Sequence, residues 1–329
     1  MSWTIGVDIG GTKIAAGLVD ESGGVVRRAR RETPALSSSA VVAAIVEVTR
    51  ELVAVADGLG GSVSCVGLGA AGFVDETRRM VRFASNLDWR EEPLAAHVES
   101  AVGLPVVVEN DANAAAWGEF RFGAGRDAES MVAVTVGTGV GGGIVLDGHL
   151  VRGSFGMAAE IGHMTQVPEG RPCGCGRRGC WEQYASGNAL LREARELAAE
   201  RRAEAGVLLS LGDGTPEGVV GRHVTEAARQ DDPVALEAFA LVGSALGAGI
   251  ADLVALLDPE LVVLGGGVSE AGDLLLGPTR RAFEHALVAR AHRPLASLVL
   301  ATMGNDAGLI GVADLARDHH GLPAVPSGG

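Results

Sequence analysis

Between Glu160 and Glu182 the chain reads E-I-G-H-M-T-Q-V-P-E-G-R-P-C-G-C-G-R-R-G-C-W-E, a segment holding three of the four cysteines, a histidine, and a glutamate at each end. Gly162, Pro168, Gly170, Pro172, Gly174, Gly176 and Gly179 interrupt every regular period, so neither a helix nor a central strand can order it. His163, Cys173, Cys175 and Cys180 supply one imidazole and three thiolates, the donor set of a closed tetrahedral zinc site, and the C-x-C-x4-C spacing keeps the thiolates in one tight loop. Two alternatives stand beside zinc. One is a disulfide, although Cys173 and Cys175 are poorly placed to pair and nothing indicates an oxidising compartment. The other is a set of reduced thiols without a partner. A filled four-ligand site would leave Glu160 and Glu182 without a role.

Further chemistry-bearing residues sit on glycine turns. Asp8 closes an apolar run and is followed by Gly10, Gly11, Thr12 and Lys13. Glycine lets backbone N–H groups face an anion with no Cβ in the way, Asp8 could hold a hydrated magnesium ion near phosphates, and Lys13 could add charge. An ordinary Gly-rich hairpin is the plainer reading, and no Lys-Ser/Thr helix follows to make a Walker A loop. The pattern recurs: Val7–Asp20 aligns with Val134–Asp147 at an offset of 127 positions, giving a second turn at Gly137, Thr138 and Gly139. A duplicated strand-turn-strand strengthens the phosphate reading and allows one nucleotide to be clasped by two similar loops. Gly265 and Gly266 end the run L-V-V-L, a strand-to-helix junction where backbone can approach an adenosine. Asp111 follows V-V-V-E-N, and both a helix N-cap and a general base suit its position. Gly72 and Asn86 lie in a glycine-rich strand end and a polar loop that are weaker ligand candidates, with close packing and turn chemistry as the alternatives.

The elements that must position these residues alternate. Strands are expected at the two glycine turns, before Asp111 and before Gly265, and helices over 37–58, 112–120, 186–205, 224–230 and 233–257, with a loop over 206–221. With 329 residues, two domains or one large one are expected. The 49 glycines lack a period of three and prolines number only 12, which excludes collagen-like and disordered classes. A net charge of −14 argues against a nucleic-acid partner, for which clustered Lys and Arg would be needed. The longest apolar stretch, 241–257, is broken by glycines and Asp252 and reads as a core helix, so a cytoplasmic protein without a membrane span is expected.

Taken together, D-I-G-G-T-K at Asp8, E-N-D-A-N-A-A at Glu109, G-T-G-V-G-G-G-I at Gly137, E-I-G-H at Glu160, C-G-C-G-R-R-G-C-W-E at Cys173 and L-G-G-G-V at Leu264 resemble the ROK family of repressors, open reading frames and sugar kinases, and within it the branch that phosphorylates glucose. The resemblance covers nearly the whole chain. It implies an α/β, actin-like (ribonuclease H-like) fold of two domains with an interdomain cleft: 1–110 plus 305–321, then 111–304, and a tail over 322–329. It implies ATP-dependent transfer of phosphate to the 6-hydroxyl of glucose, with Asp111 as the base and Asn110, Glu160, His163 and Glu182 holding other hydroxyls, aided by Gly72 and Asn86. It also implies that His163 binds zinc through one ring nitrogen and sugar through the other. Magnesium would accompany ATP, and a homodimer or homotetramer is implied. Other acceptors (N-acetylmannosamine, fructose, allose) and polyphosphate as donor remain open. A sugar-sensing repressor of the same family is disfavoured, since no basic helix-turn-helix precedes the first strand at Thr4.

Overall fold

The computed structural model describes residues 1–34, 37–84 and 87–322. The chain divides into two compact units, one of residues 1–130, 143–159 and those from Thr302 onward, the other of residues 131–142 and 160–301.

In the first unit β1 (Ser2–Ile9) and β2 (Lys13–Val19) form an antiparallel hairpin with Ile9 opposite Ile14, and β3 (Val25–Glu32) extends it. Helix α1 (Ser38–Gly58), capped by the Ser37 hydroxyl accepting from Ala40 N–H, returns the chain to β4 (Ser62–Ala70), parallel to β1. A small antiparallel sheet of β5 (Phe73–Val74), β6 (Val81–Ala84) and β7 (Trp89–Glu92) and helix α2 (Leu94–Val102) precede β8 (Val106–Asn110), which completes the order β3-β2-β1-β4-β8. Ile5, Val7, Ile9, Ile14, Leu18, Ile45, Leu52, Leu68 and Val108 are fully buried together and form the core. After β8 comes α3 (Asp111–Phe122), which packs on the chain's last helix, α10 (Ala307–His319). The approach requires glycine: a Cβ on Gly311 would collide with the Ala114 carbonyl, and one on Gly67 with that of Val312. This packing places α3 with the first unit, past the Asn110/Asp111 boundary expected from sequence.

The second unit has its own sheet. Strand β9 (Met131–Val136) is followed by β10 (Val140–Leu146), which leaves this unit after Gly142 and turns through Asp147 and Gly148, both left-handed, into β11 (His149–Leu150). Strand β12 (Leu261–Gly265) runs parallel to both β9 and β13 (Ser297–Leu300). The helices are α4 (Glu182–Ala185), α5 (Gly187–Glu200), α6 (Gly206–Ser210), α7 (Gly221–Arg229), α8 (Pro233–Leu257) and α9 (Asp273–Ala286). Helix α8 is the one described helix long and apolar enough to cross a membrane. It packs on α5, α7 and α9 and buries Phe239, Val242, Leu246, Ile250 and Val254. Helix α6 interrupts the loop expected over 206–221. Its apolar pair Leu208–Leu209 is buried, and flanking glycine and proline hide so short a helix from periodicity.

Candidate active site and metal centre

Strand β8 delivers a charged residue, Glu109, to a fully buried position, then Asn110 and Asp111 at its junction with α3. Asn110 rather than Asp111 caps the helix: its Oδ1 accepts from Ala112 N–H at 2.9 Å and Asn113 N–H at 3.0 Å. Its amide nitrogen donates to the Gly72 carbonyl at 3.1 Å, leaving one N–H for a ligand. The Asp111 carboxylate accepts a local bond from Ala112 N–H at 2.9 Å, and burial lifts its pKa above the ordinary carboxylate range against the neighbouring backbone N–H groups. Gly72 also meets a steric demand, because a Cβ there would strike the Phe83 carbonyl. Asn86 lies outside the described residues.

Glu109 was not singled out as a site residue, yet it organises this junction. One carboxylate oxygen accepts from Asn110 N–H at 2.9 Å and Asn113 Nδ2 at 3.2 Å, and the other pairs with Arg152 Nε at 2.7 Å and Arg78 Nε at 3.3 Å. The signal lay in V-V-V-E-N, where a buried strand ending in a carboxylate calls for a cationic partner.

At the first glycine turn Gly10 N–H donates to the Lys13 carbonyl at 2.9 Å, and Thr33 braces the turn from outside through its hydroxyl to Gly10 O at 2.7 Å. Gly11 and Thr12 are exposed at the tip. Burial, and then repulsion by Asp111, push the Asp8 carboxyl up to about 6, with Lys13 pulling the other way. Two carboxylates that repel one another are better matched to a cation than to each other. At the second turn Gly137 N–H donates to Gly139 O at 3.0 Å, Gly137 O accepts from Gly187 N–H at 2.8 Å, and a Cβ on Gly139 would lie 2.5 Å from Glu182 Oε2. At the end of β12, Gly266 is left-handed (φ 83°) and its carbonyl accepts from Ser269 N–H and hydroxyl, shaping the junction before α9. Gly265 precedes it as the strand's last residue.

The metal loop holds its donors by turns rather than regular structure. Cys173 N–H donates to Arg177 O at 2.9 Å, Gly176 N–H to Cys173 O at 3.1 Å, and Gln166 and Val167 N–H both to Gly179 O. Gly179 is left-handed (φ 76°), and a Cβ there would overlap the Val167 carbonyl. Fully buried Trp181 anchors the loop by donating to Ala245 O of α8 at 2.8 Å. One ligand atom from each of His163, Cys173, Cys175 and Cys180 falls within 4.8 Å of the others. His163 Nδ1 lies 3.7 Å from both Cys173 Sγ and Glu182 Oε1, and Cys175 and Cys180 sulfurs are 3.6 Å apart. Burial, reinforced by the bond to Glu182, pushes the Cys173 thiol up to about 12. Four soft donors converging on one point fit a tetrahedral zinc ion. Glu160 is exposed, at the entry to a short helical turn over Ile161–His163.

The chain matches the ROK family over residues 4–319. It belongs to the ROK family. Its α/β units accordingly have the actin-like ATPase fold. It is 51% identical over 320 residues to a glucokinase of Streptomyces coelicolor, covering 97% of this chain and 98% of that protein. It is 36% identical to one of Thermotoga maritima, covering 96% and 98%. The crystal structure of a ROK family glucokinase from Streptomyces griseus in complex with glucose and AMPPNP matches with a TM-score of 0.86 at 52% identity, covering 96% of this chain and 99% of that one.

Proposed function

We propose that this ROK protein transfers the γ-phosphoryl group of ATP to the 6-hydroxyl of glucose, with Asp111 as general base. The observation that carries the assignment is the division of labour at the α3 junction. Asn110 takes the cap, so the Asp111 carboxylate is not needed for it, and its raised pKa brings it closer to the pH at which it must accept a proton. Its full-length relatives in Streptomyces and Thermotoga are glucokinases.

Phosphoryl transfer demands alignment and charge stabilisation more than covalent chemistry. The amides of Gly11 and Thr12 and those of Thr138 and Gly139 take phosphate oxygens, with the Gly10 and Gly137 amides closing the turns that present them; Lys13 adds a positive charge, and Gly265–Gly266 admit the adenosine. Asp8 would hold magnesium, which supplies charge neutralisation of the phosphates when bound. Asn110, Glu160, His163 and Glu182 orient the sugar hydroxyls; carboxylates paired with hydroxyls reject an epimer by leaving a buried group unpaired. His163, Cys173, Cys175 and Cys180 would hold zinc as a scaffold, with Nδ1 of His163 toward the thiolates and Nε2 left for substrate. A reducing cytoplasm would keep Cys173, Cys175 and Cys180 available as thiolate ligands. Leu241 and Leu256 expose an apolar edge of α8 suited to a homodimer or homotetramer.

Asp111→Asn tests the base. It should retain fold and glucose affinity while kcat falls on the order of 10² or more in a coupled ADP-release assay; turnover within a few-fold of wild type removes the role. The same assay over a panel of sugars, with ATP and polyphosphate, fixes acceptor and donor.

A further inference from the structure

A cavity of about 390 Å³ lies wholly in the first unit, lined by Arg78, Trp117, Arg121, Asp314, Arg317 and Asp318 among others. None of these belongs to the glycine turns or the metal loop, and of the six only Arg78, through its pairing with Glu109, reaches the Asp111 junction. The Arg317 side chain is only 6% exposed; its Nη2 donates to Thr4 Oγ1 at 3.2 Å and Val19 O at 3.4 Å. Its Nη1 has no hydrogen-bond acceptor among the described residues, the Asp314 carboxylate being 3.7 Å away. A buried guanidinium N–H left in this state is costly, so an acceptor entering the cavity would be favoured. Asp314 is already committed: Oδ2 accepts from Trp117 Nε1 at 2.9 Å and Arg121 Nε at 3.1 Å. Arg78 shares Glu109 with Arg152, which lies closer to it, and is also acted on by Asp318.

On the lining Arg78, Arg121 and Arg317 outnumber Asp314 and Asp318 by one, with Asp20 also acting on Arg317 from outside it, in a protein of net charge −14. His319 reports the same field: burial first, then Arg78, holds its pKa below the ordinary value. The volume falls in the range of small-molecule sites, roughly 300–1,000 Å³, larger than a bare phosphate needs. Planar guanidinium groups match phosphate oxygens in pairs. We propose that this cavity is a second ligand site that binds a small phosphate monoester through Arg121 and Arg317, with Arg78 beside them.

The site is independent of the reaction assigned above and is tested with the sugar and nucleotide sites saturated by glucose and a non-hydrolysable ATP analogue. Glucose 6-phosphate and inorganic phosphate are then titrated by calorimetry. Saturable binding of the ester is expected, tighter than that of inorganic phosphate and weakened about tenfold or more by Arg121→Gln. Asp318→Asn removes an exposed carboxylate from the lining and should tighten binding about threefold or more, a gain that a damaged fold cannot imitate. No saturable binding under these conditions would overturn the proposal, as would affinity unmoved by both substitutions. Inorganic phosphate binding as tightly as the ester would overturn the monoester assignment.

Discussion

The two glycine turns share a backbone plan and differ in what surrounds it. Strands end and restart at Ile9 and Lys13 in one, and at Val136 and Val140 in the other, the same 127-residue offset that aligns their sequences. In the first turn the charge is local, with Asp8 before the glycines and Lys13 after them. The corresponding positions in the second are Thr135 and Val140, and a carboxylate, Glu182, is brought against Gly139 from the metal loop. Duplication has kept a cradle of amides in both copies. Charge chemistry remains with one copy, while the other is tied through Glu182 and Gly187 to the segment ordered by the four-donor cluster.

If that contrast is right, equivalent positions are not equivalent in function. Asp8→Asn should lower kcat on the order of 10² and raise the magnesium concentration needed for half-maximal rate, since a cation-facing carboxylate is lost. Thr135→Ala should leave kcat within about threefold, because the second copy has no such duty. Comparable losses in both variants, measured in one steady-state assay with magnesium varied, would show that the duplicated turns share their chemistry after all.

A second test separates the turns through the metal. Chelation, or Cys175→Ala, should weaken glucose binding about tenfold or more while the affinity for an ATP analogue stays within about threefold. The reason is position. Glu182 and His163 sit in or beside the four-donor cluster, whereas the first turn is braced by Thr33 and shares nothing with it. Calorimetry with each ligand alone decides the matter, and equal losses of both would make the metal a support for the second unit as a whole.

The donors of the metal loop were legible in sequence because glycine and proline excluded any other means of ordering it, and the two glycine turns because a repeat at constant offset has no casual origin. Asp111 was legible only as an ambiguity. Cap and base both suit a carboxylate at a strand end; the cap falls to Asn110, whose side chain reaches back to two amides, and the base is the role proposed above for Asp111. Contacts made at long range could not be read. Arg78 and Arg152 converge on Glu109 from segments 31 and 43 positions away, and nothing local marks either arginine as its partner. The small sheet β5-β6-β7 was missed because strands of two to four residues carry too little alternation to show a period.

The smallest effect is the most specific to the first turn. Asp8 has a pKa raised to about 6 from 3.8, so in the folded state it resists ionisation. The sign follows: its contribution to stability is complete below about pH 3.8 and is lost as pH rises through about 6. At pH 7.5, without divalent cation or nucleotide, the wild-type protein therefore carries an ionised carboxylate that its surroundings disfavour. Asp8→Asn should relieve it. A shift of about two units corresponds to roughly 3 kcal/mol, and because Asp8 is only half-buried the realised gain is expected to be on the order of 1–2 kcal/mol. Thermal unfolding in chelator should show a midpoint a few degrees higher for the variant at pH 7.5, with the difference shrinking toward zero near pH 4. A variant that is less stable at neutral pH, or whose advantage ignores pH, would mean that Asp8 is not held against its own charge. Thr135→Ala, lacking a titrating group, should show no pH-dependent difference at all.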